Sequence, residues 1–247
     1  MKMPIVIKIG TGVLTRGNGT LDGASLVRLV TAVAELKARG FSCVMVSSGA
    51  VGAGVSALDL KSYPDDVETR QAAAAIGQAR LMQRYQTLFE QFDFDVAQLL
   101  LTGSDLQENR ERVSATMKRL LKEGDIIPIV NENDSVAIEE LRVGDNDMLS
   151  ARVAELLGAK TLILLTSVDG LLDHQDSLIE HVSDLSEISS LIREESGKFS
   201  IGGMASKLRA VKYATESGVE VLVANGRNPE QLVALVEGSG RCTRFTL

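Results

Sequence analysis

Two lysines and two short clusters of carboxylates and amides are the residues of this 247-residue chain whose type and spacing point to chemistry. Lys8 interrupts the apolar run Pro4-Ile5-Val6-Ile7-Lys8-Ile9. A charge there needs a counter-charge or an anionic ligand, unless the run is an edge strand in which lysine blocks pairing with other chains. Lys207 ends the stretch Ser200-Ile201-Gly202-Gly203-Met204-Ala205-Ser206-Lys207, where paired glycines open a helix and a solvated lysine is the plain alternative. The other cluster is Asn131-Glu132-Asn133-Asp134, followed about ten residues later by Gly144-Asp145-Asn146-Asp147. Asp or Asn at a helix start is commonly only a cap. Two such segments at one sheet edge would also orient lysines, bind magnesium through water or grip an ammonium group.

Glycines add to this picture. Lys8-Ile9-Gly10-Thr11-Gly12 and Ser47-Ser48-Gly49-Ala50-Val51-Gly52-Ala53-Gly54 each follow an apolar run. Such glycines let backbone N–H groups approach phosphate or carboxylate oxygens, or else they simply turn the chain. The spacing matches neither GxGxxG nor GxxxxGK[ST], and the HRD and DFG elements of protein kinases are absent. The two histidines, His174 and His181, show no metal-ligand spacing, so no metal-binding set of side chains is expected, and no Ser-His-Asp case arises. Scarce histidine has a chemical corollary. Were a phosphoryl group transferred here, an acceptor carboxylate with a pKa of about 4 would need no general base.

The elements that must position these residues follow from hydrophobic periodicity. Ile5–Ile9, Ser42–Ser47, Val96–Leu101, Ile126–Val130, Thr161–Thr166 and Val219–Ala224 read as buried strands. Leu26, Leu29, Val30, Val33 and Leu36 recur at helical spacing, with Gly40 placed as a left-handed cap. Further helices are expected over about Val67–Phe92, before Gly124, over Asp147–Leu157 and over Met204–Ser217. The alternation predicts an α/β fold, a three-layer α/β/α sandwich with a mainly parallel central sheet. In such sheets ligands bind beyond the carboxyl ends of the strands, which is where the lysines, glycines and amides fall. The polar stretch Asp173–Glu195 is expected to cover a site, with Leu178–Val182 as a small β-ribbon beside the sheet.

Composition limits the partners. Lys and Arg number 26 against 33 Asp and Glu, a net charge of −7, and aromatic residues are 4% with no Trp. That argues against a nucleic-acid binder. Hydrophobic residues at 45% and charged residues at 24% describe a folding chain, without a Pro- or Ser-rich linker to divide it. Cys43 and Cys242 form no CxxC pair, no apolar run approaches the roughly 20 residues of a membrane span, and the N-terminus lacks a signal-peptide core. A soluble, cytoplasmic protein without a membrane partner is expected.

Taken together, Lys8-Ile9-Gly10-Thr11, Val46-Ser47-Ser48-Gly49-Ala50, Leu99-Leu100-Leu101-Thr102, Asn131-Glu132-Asn133-Asp134, Gly144-Asp145-Asn146-Asp147 and Gly202-Gly203-Met204 resemble the amino acid kinase family. Within it they are most similar to the enzymes that phosphorylate the side-chain carboxylate of glutamate in the first step of proline biosynthesis. The resemblance implies ATP and Mg2+ as cofactors and glutamate as the small-molecule partner. It places Lys8 and Lys207 on the transferring phosphoryl group, with Asp147 holding both. It places glutamate on Ser48, Gly49, Asp134 and Asn146. The nucleotide would contact Lys8, Gly10, Thr166, Ser167, Ile201, Gly202, Gly203, Met204 and Lys207. It also implies a homo-oligomer, dimer or tetramer, formed through the helix near Val67–Phe92. The chain 1–247 is expected to be one amino acid kinase domain without the C-terminal PUA domain that many members carry. Gly12, Ser167 and Ser200-Ile201 depart from the family pattern, mostly on the nucleotide side. The nearest alternatives are a sister kinase acting on N-acetylglutamate, aspartate, carbamate or UMP, and a catalytically silent nucleotide- or amino-acid-binding regulator.

Overall fold

The computed structural model describes residues 3–55, 57–60, 62–136, 146–173, 175–184, 186–188 and 204–246. Its frame is a sheet of eight described strands: β1 Ile5–Ile9, β2 Cys43–Val46, β3 Asp95–Leu101, β4 Ile126–Glu132, β5 Thr161–Thr166, β6 His181–Val182, β7 Glu220–Asn225 and β8 Cys242–Phe245. They lie in the order β3-β4-β2-β1-β5-β7-β8-β6. All pairings from β3 to β7 are parallel, and only β8 runs antiparallel to its neighbour β7. The six expected strands are present within a residue or two of their expected ends. The C-terminal β8, preceded by Arg241 and containing Arg244, was too short and too charged to stand out as a strand. Leu178 makes a bridge to Leu172, and His181–Val182 pairs with β8, so the second half of the expected ribbon joins the sheet edge instead of lying beside it.

β1 sits in the interior of the sheet, so its side chains alternate between two apolar layers. Ile5, Ile7 and Ile9 enter one cluster, with the helices α1 Thr11–Leu14, α2 Gly23–Ala38 and α4 Val67–Phe89. Val6 enters the other, with α6 Arg110–Lys122, α7 Asn146–Leu157 and α8 Met204–Glu216. The period of two then puts Lys8 on the α7 and α8 side. Its register neighbours are Val46 on β2 and Leu164 on β5, both fully buried. The edge-strand reading of Lys8 is thereby excluded.

Helix limits follow local chemistry. Asp22 caps α2 by accepting from the Ala24 N–H, and Asp66 caps α4 by accepting from the Thr69 N–H. Gly40 ends α2 at φ +81°. The short helices α3 Ala50–Val55 and α5 Asp105–Glu108 follow strands β2 and β3, and α9 Leu232–Glu237 leads to β8. Close packing of α3 on α4 requires glycine at two points, because a Cβ on Gly77 would collide with the Ala50 carbonyl and one on Gly54 with the Ala73 carbonyl. Among the described residues no helix is long and apolar enough to cross a membrane.

Candidate active site

From β1 the chain builds outward through β2 to β4 and β3, and later through β5 to β7. The connections therefore diverge at β1, and in open sheets of this kind ligands bind at the carboxyl ends of the strands beside such a point. Lys8 stands one residue before the end of β1, and its ammonium lies 2.5 Å from Asp147 Oδ1. Lys207, in the first turns of α8, reaches Asp147 Oδ2 at 3.3 Å. Asp147 is 1% exposed, Lys8 5% and Lys207 9%, so the solvated-helix reading of Lys207 is excluded as well. The first turn of α7 supplies Asp147, and a carboxylate there also meets the positive end of the helix. Two ammonium groups meet on one carboxylate in a desolvated place. That suits an anion carrying several negative oxygens.

Beside this trio, Asn146 Nδ2 donates to Ser48 Oγ at 3.1 Å, which ties the start of α7 to the end of β2. Ser48 is buried, and Gly49 follows at φ +90°, a left-handed turn that glycine adopts at least cost. Asn146 Oδ1 is buried and has no hydrogen-bond partner among the described residues. It presents an acceptor for a donor such as an ammonium group. Asp134 follows the end of β4 and lines a cavity of about 280 Å³ together with Ala50, Gln78 and Glu132. Burial pushes its carboxyl up to about 6. Nearby Tyr63 has its hydroxyl raised, first by burial and then by the Asp134 charge.

The expected nucleotide residues are placed less completely. The Gly10 N–H donates to the Leu165 carbonyl at 2.9 Å, and a Cβ on Gly10 would lie 3.0 Å from that same oxygen, so the end of β1 closes tightly on β5. Thr166 ends β5 and is buried, while Ser167 beside it is exposed at the strand end. Met204 opens α8 and packs partly buried against the apolar cluster of that face. Ile201, Gly202 and Gly203 lie outside the described residues, as do Gly144, Asp145 and His174. Among the described residues no three His, Cys, Asp or Glu side chains converge on a possible metal position.

Two contacts had no counterpart in the sequence reading. Tyr85, fully buried on α4, shares a 2.9 Å hydrogen bond with Ser47 Oγ, directly before Ser48. Gln78, two turns earlier on the same helix, accepts from Asn131 Nδ2 at 2.9 Å. Their signal in the sequence is a polar group at helical spacing within the buried stripe Ala73, Ala74, Gly77, Leu81, Phe89.

Residues 3–225 match the profile of the Amino acid kinase family. This chain belongs to that family. A glutamate 5-kinase of Clostridium acetobutylicum is 39% identical over 98% of this chain and 93% of its own length. Another, from Synechococcus elongatus, is 42% identical over 99% of this chain and 69% of that protein. Among solved structures, carbamate kinase from Giardia lamblia bound to AMP-PNP superposes with a TM-score of 0.69 over 99% of this chain and 98% of that one, at 16% identity. That likeness carries the fold. In this amino acid kinase, then, the buried lysine–aspartate trio and the Ser48–Asn146 contact sit at the strand ends where open α/β sheets bind ligands.

Proposed function

We propose that the protein catalyses ATP-dependent phosphorylation of the side-chain carboxylate of L-glutamate, giving L-glutamyl 5-phosphate and ADP, in the cytoplasm. The observation that carries this reading is Asp147 bridging Lys8 and Lys207, beside the Ser48–Asn146 contact. The full-length similarity to glutamate 5-kinases supports the choice of acceptor.

The chemistry follows from these groups. A glutamate carboxylate with an ordinary pKa of about 4.3 is ionised at neutral pH, so one of its oxygens attacks the γ-phosphorus without a base. The bond from that phosphorus to the bridging oxygen breaks, and ADP carries away the electron pair. Both reactants are anions, so fixed cations are needed where charge grows. Lys8 and Lys207 supply them, and Asp147 holds the two ammonium groups in place and offsets part of their mutual repulsion. Ser48, Gly49, Asn146 and Asp134 bind the amino acid, with Asp134 and Asn146 Oδ1 taking its ammonium. Gly10, Thr166 and Ser167 are assigned to the nucleotide, as is the stretch Ile201–Lys207 on the family resemblance. Mg2+ would come bound to the phosphates of the nucleotide, and the chemistry it would supply is further neutralisation of their charge.

The chain is proposed to act as one kinase domain, supported by the single sheet that all eight described strands share. It is also proposed to self-associate through α4, whose outer face exposes Ile76 among small alanines. Sedimentation at micromolar concentration should then show a species larger than the monomer, and a monomer alone would remove that proposal. For the reaction, ATP consumption is measured across glutamate, N-acetylglutamate, aspartate, carbamate and UMP, with hydroxylamine trapping the acyl phosphate. Glutamate-dependent hydroxamate is expected. ATP consumption that responds to another acceptor and not to glutamate would overturn the reading.

A further inference from the structure

α4 contributes no residue to the trio and none to the Ser48–Asn146 contact, yet its buried face carries a glutamine. Gln78 is 8% exposed and Asn131 only 1%, so a hydrogen bond between them is costly to lose. Their orientation is fixed by chemistry. Asn131 Oδ1 accepts from the backbone N–H of Glu132 at 3.0 Å, and a main-chain N–H can only donate. Asn131 must therefore present its NH₂ to Gln78, and Gln78 must answer with its oxygen, as the 2.9 Å contact has it. The remaining Gln78 NH₂ points towards Gln98 Oε1 on β3, at 3.4 Å.

This chain of amides sits where one strand outlasts its neighbour. β2 ends at Val46, opposite Val130, while β4 continues to Glu132. The Glu132 N–H is thus taken up by the Asn131 side chain, which guides the backbone out of the sheet into Asn133 and Asp134. Gln78 in turn lines the same cavity as Asp134. The helix that carries Gln78 is itself held rigidly, because Gly77 lies against the Ala50 carbonyl and Tyr85 holds Ser47.

We propose that Gln78 is a positioning residue for the acceptor, acting through Asn131 to set the course of β4 into Asp134. The proposal rests on the reading that Asp134 binds glutamate. Removal of the Gln78 oxygen leaves the Asn131 NH₂ buried without its acceptor, so Asn131 reorients and Asp134 moves off its line to the substrate ammonium. The nucleotide and the lysines lie on other elements and should feel little.

The experiment is a double-variant cycle with Gln78→Met, which keeps the length and volume of the side chain, and Asn131→Leu. Steady-state kinetics are read for both substrates in each variant, and thermal melting checks folding. Gln78→Met is expected to raise the KM for glutamate about tenfold, with kcat and the KM for ATP within about twofold. Gln78→Glu keeps an oxygen for Asn131 and should stay within about threefold of the parent KM, which also serves if Gln78→Met does not fold. The double variant should be no worse than Asn131→Leu alone, because both changes break one link. Independent, additive effects, an unchanged glutamate KM in Gln78→Met, or equal losses for both substrates would overturn the proposal. Parent enzyme that turns over no glutamate would remove the underlying reading, and this proposal with it. Parent enzyme with normal glutamate turnover but insensitive to Gln78 would remove this proposal alone.

Discussion

Around Asp147 two ammonium groups share one carboxylate at 2.5 and 3.3 Å, whereas at the end of β4 the Asp134 carboxyl is desolvated and raised to about 6. The first region gathers two ammonium groups on one carboxylate before any ligand arrives. The second keeps a carboxyl whose ionised form is disfavoured until a cation approaches. Lysines held in this way gain most when extra negative charge develops on the transferring group, which is a transition-state event. A desolvated carboxylate gains most when a substrate ammonium docks, which is a ground-state event. On the proposed function, the two clusters at the carboxyl ends of the strands then serve catalysis and recognition respectively.

The largest effects are expected at the lysines. Lys8→Ala and Lys207→Ala should each lower kcat by about 10²- to 10³-fold, or roughly 3–4 kcal/mol, with either KM changed far less. Asp147→Asn should act in the same direction but less strongly, since it loosens both ammonium groups without removing a positive charge. Near-normal kcat in both lysine variants, read by steady-state kinetics, would erase the distinction between the two regions.

A smaller effect is expected from pH. If ionised Asp134 takes the substrate ammonium, kcat/KM for glutamate should fall about fourfold between pH 7.5 and 5.5, and Asp134→Asn should flatten that limb from an already low value. A parent profile unchanged through pH 6 would assign the ammonium to other groups.

The smallest effect is on stability. A carboxyl raised from 3.8 to about 6 on folding binds its proton more tightly in the native state. Its stabilising contribution is then complete below 3.8 and lost as pH rises through 6. Asp134→Asn should accordingly raise the Tm at pH 8, and the gain should shrink as pH falls from 6 towards 4. A Tm lowered at pH 8 would show that Asp134 is held by stabilising partners in the free protein.

The strands and most helices were legible because buried parallel strands are apolar runs and the helices keep a clear stripe. Lys8 was legible as an anomaly, a charge inside such a run. Its neutral interpretation fell only when the register placed Val46 and Leu164 on either side of it. The meeting of Lys8, Asp147 and Lys207 spans two hundred residues of chain, so spacing alone left it open and only the family resemblance suggested it. Gln78 and Tyr85 were illegible as site residues, because a polar group in a helix declares nothing until its partner on another strand is known. β8 was missed for a related reason: its four residues include Thr243 and Arg244, and its strand character depends on the pairing partner β7.

The division of labour between the two regions is tested most directly by equilibrium titration of glutamate, in the presence of a non-transferable ATP analogue, into the parent protein, Lys207→Ala and Asp134→Ala. Calorimetry reads binding without turnover. The Kd of Lys207→Ala should stay within about threefold of the parent, while that of Asp134→Ala should rise by about tenfold or more. Glutamate affinity lost in Lys207→Ala and retained in Asp134→Ala would contradict the account.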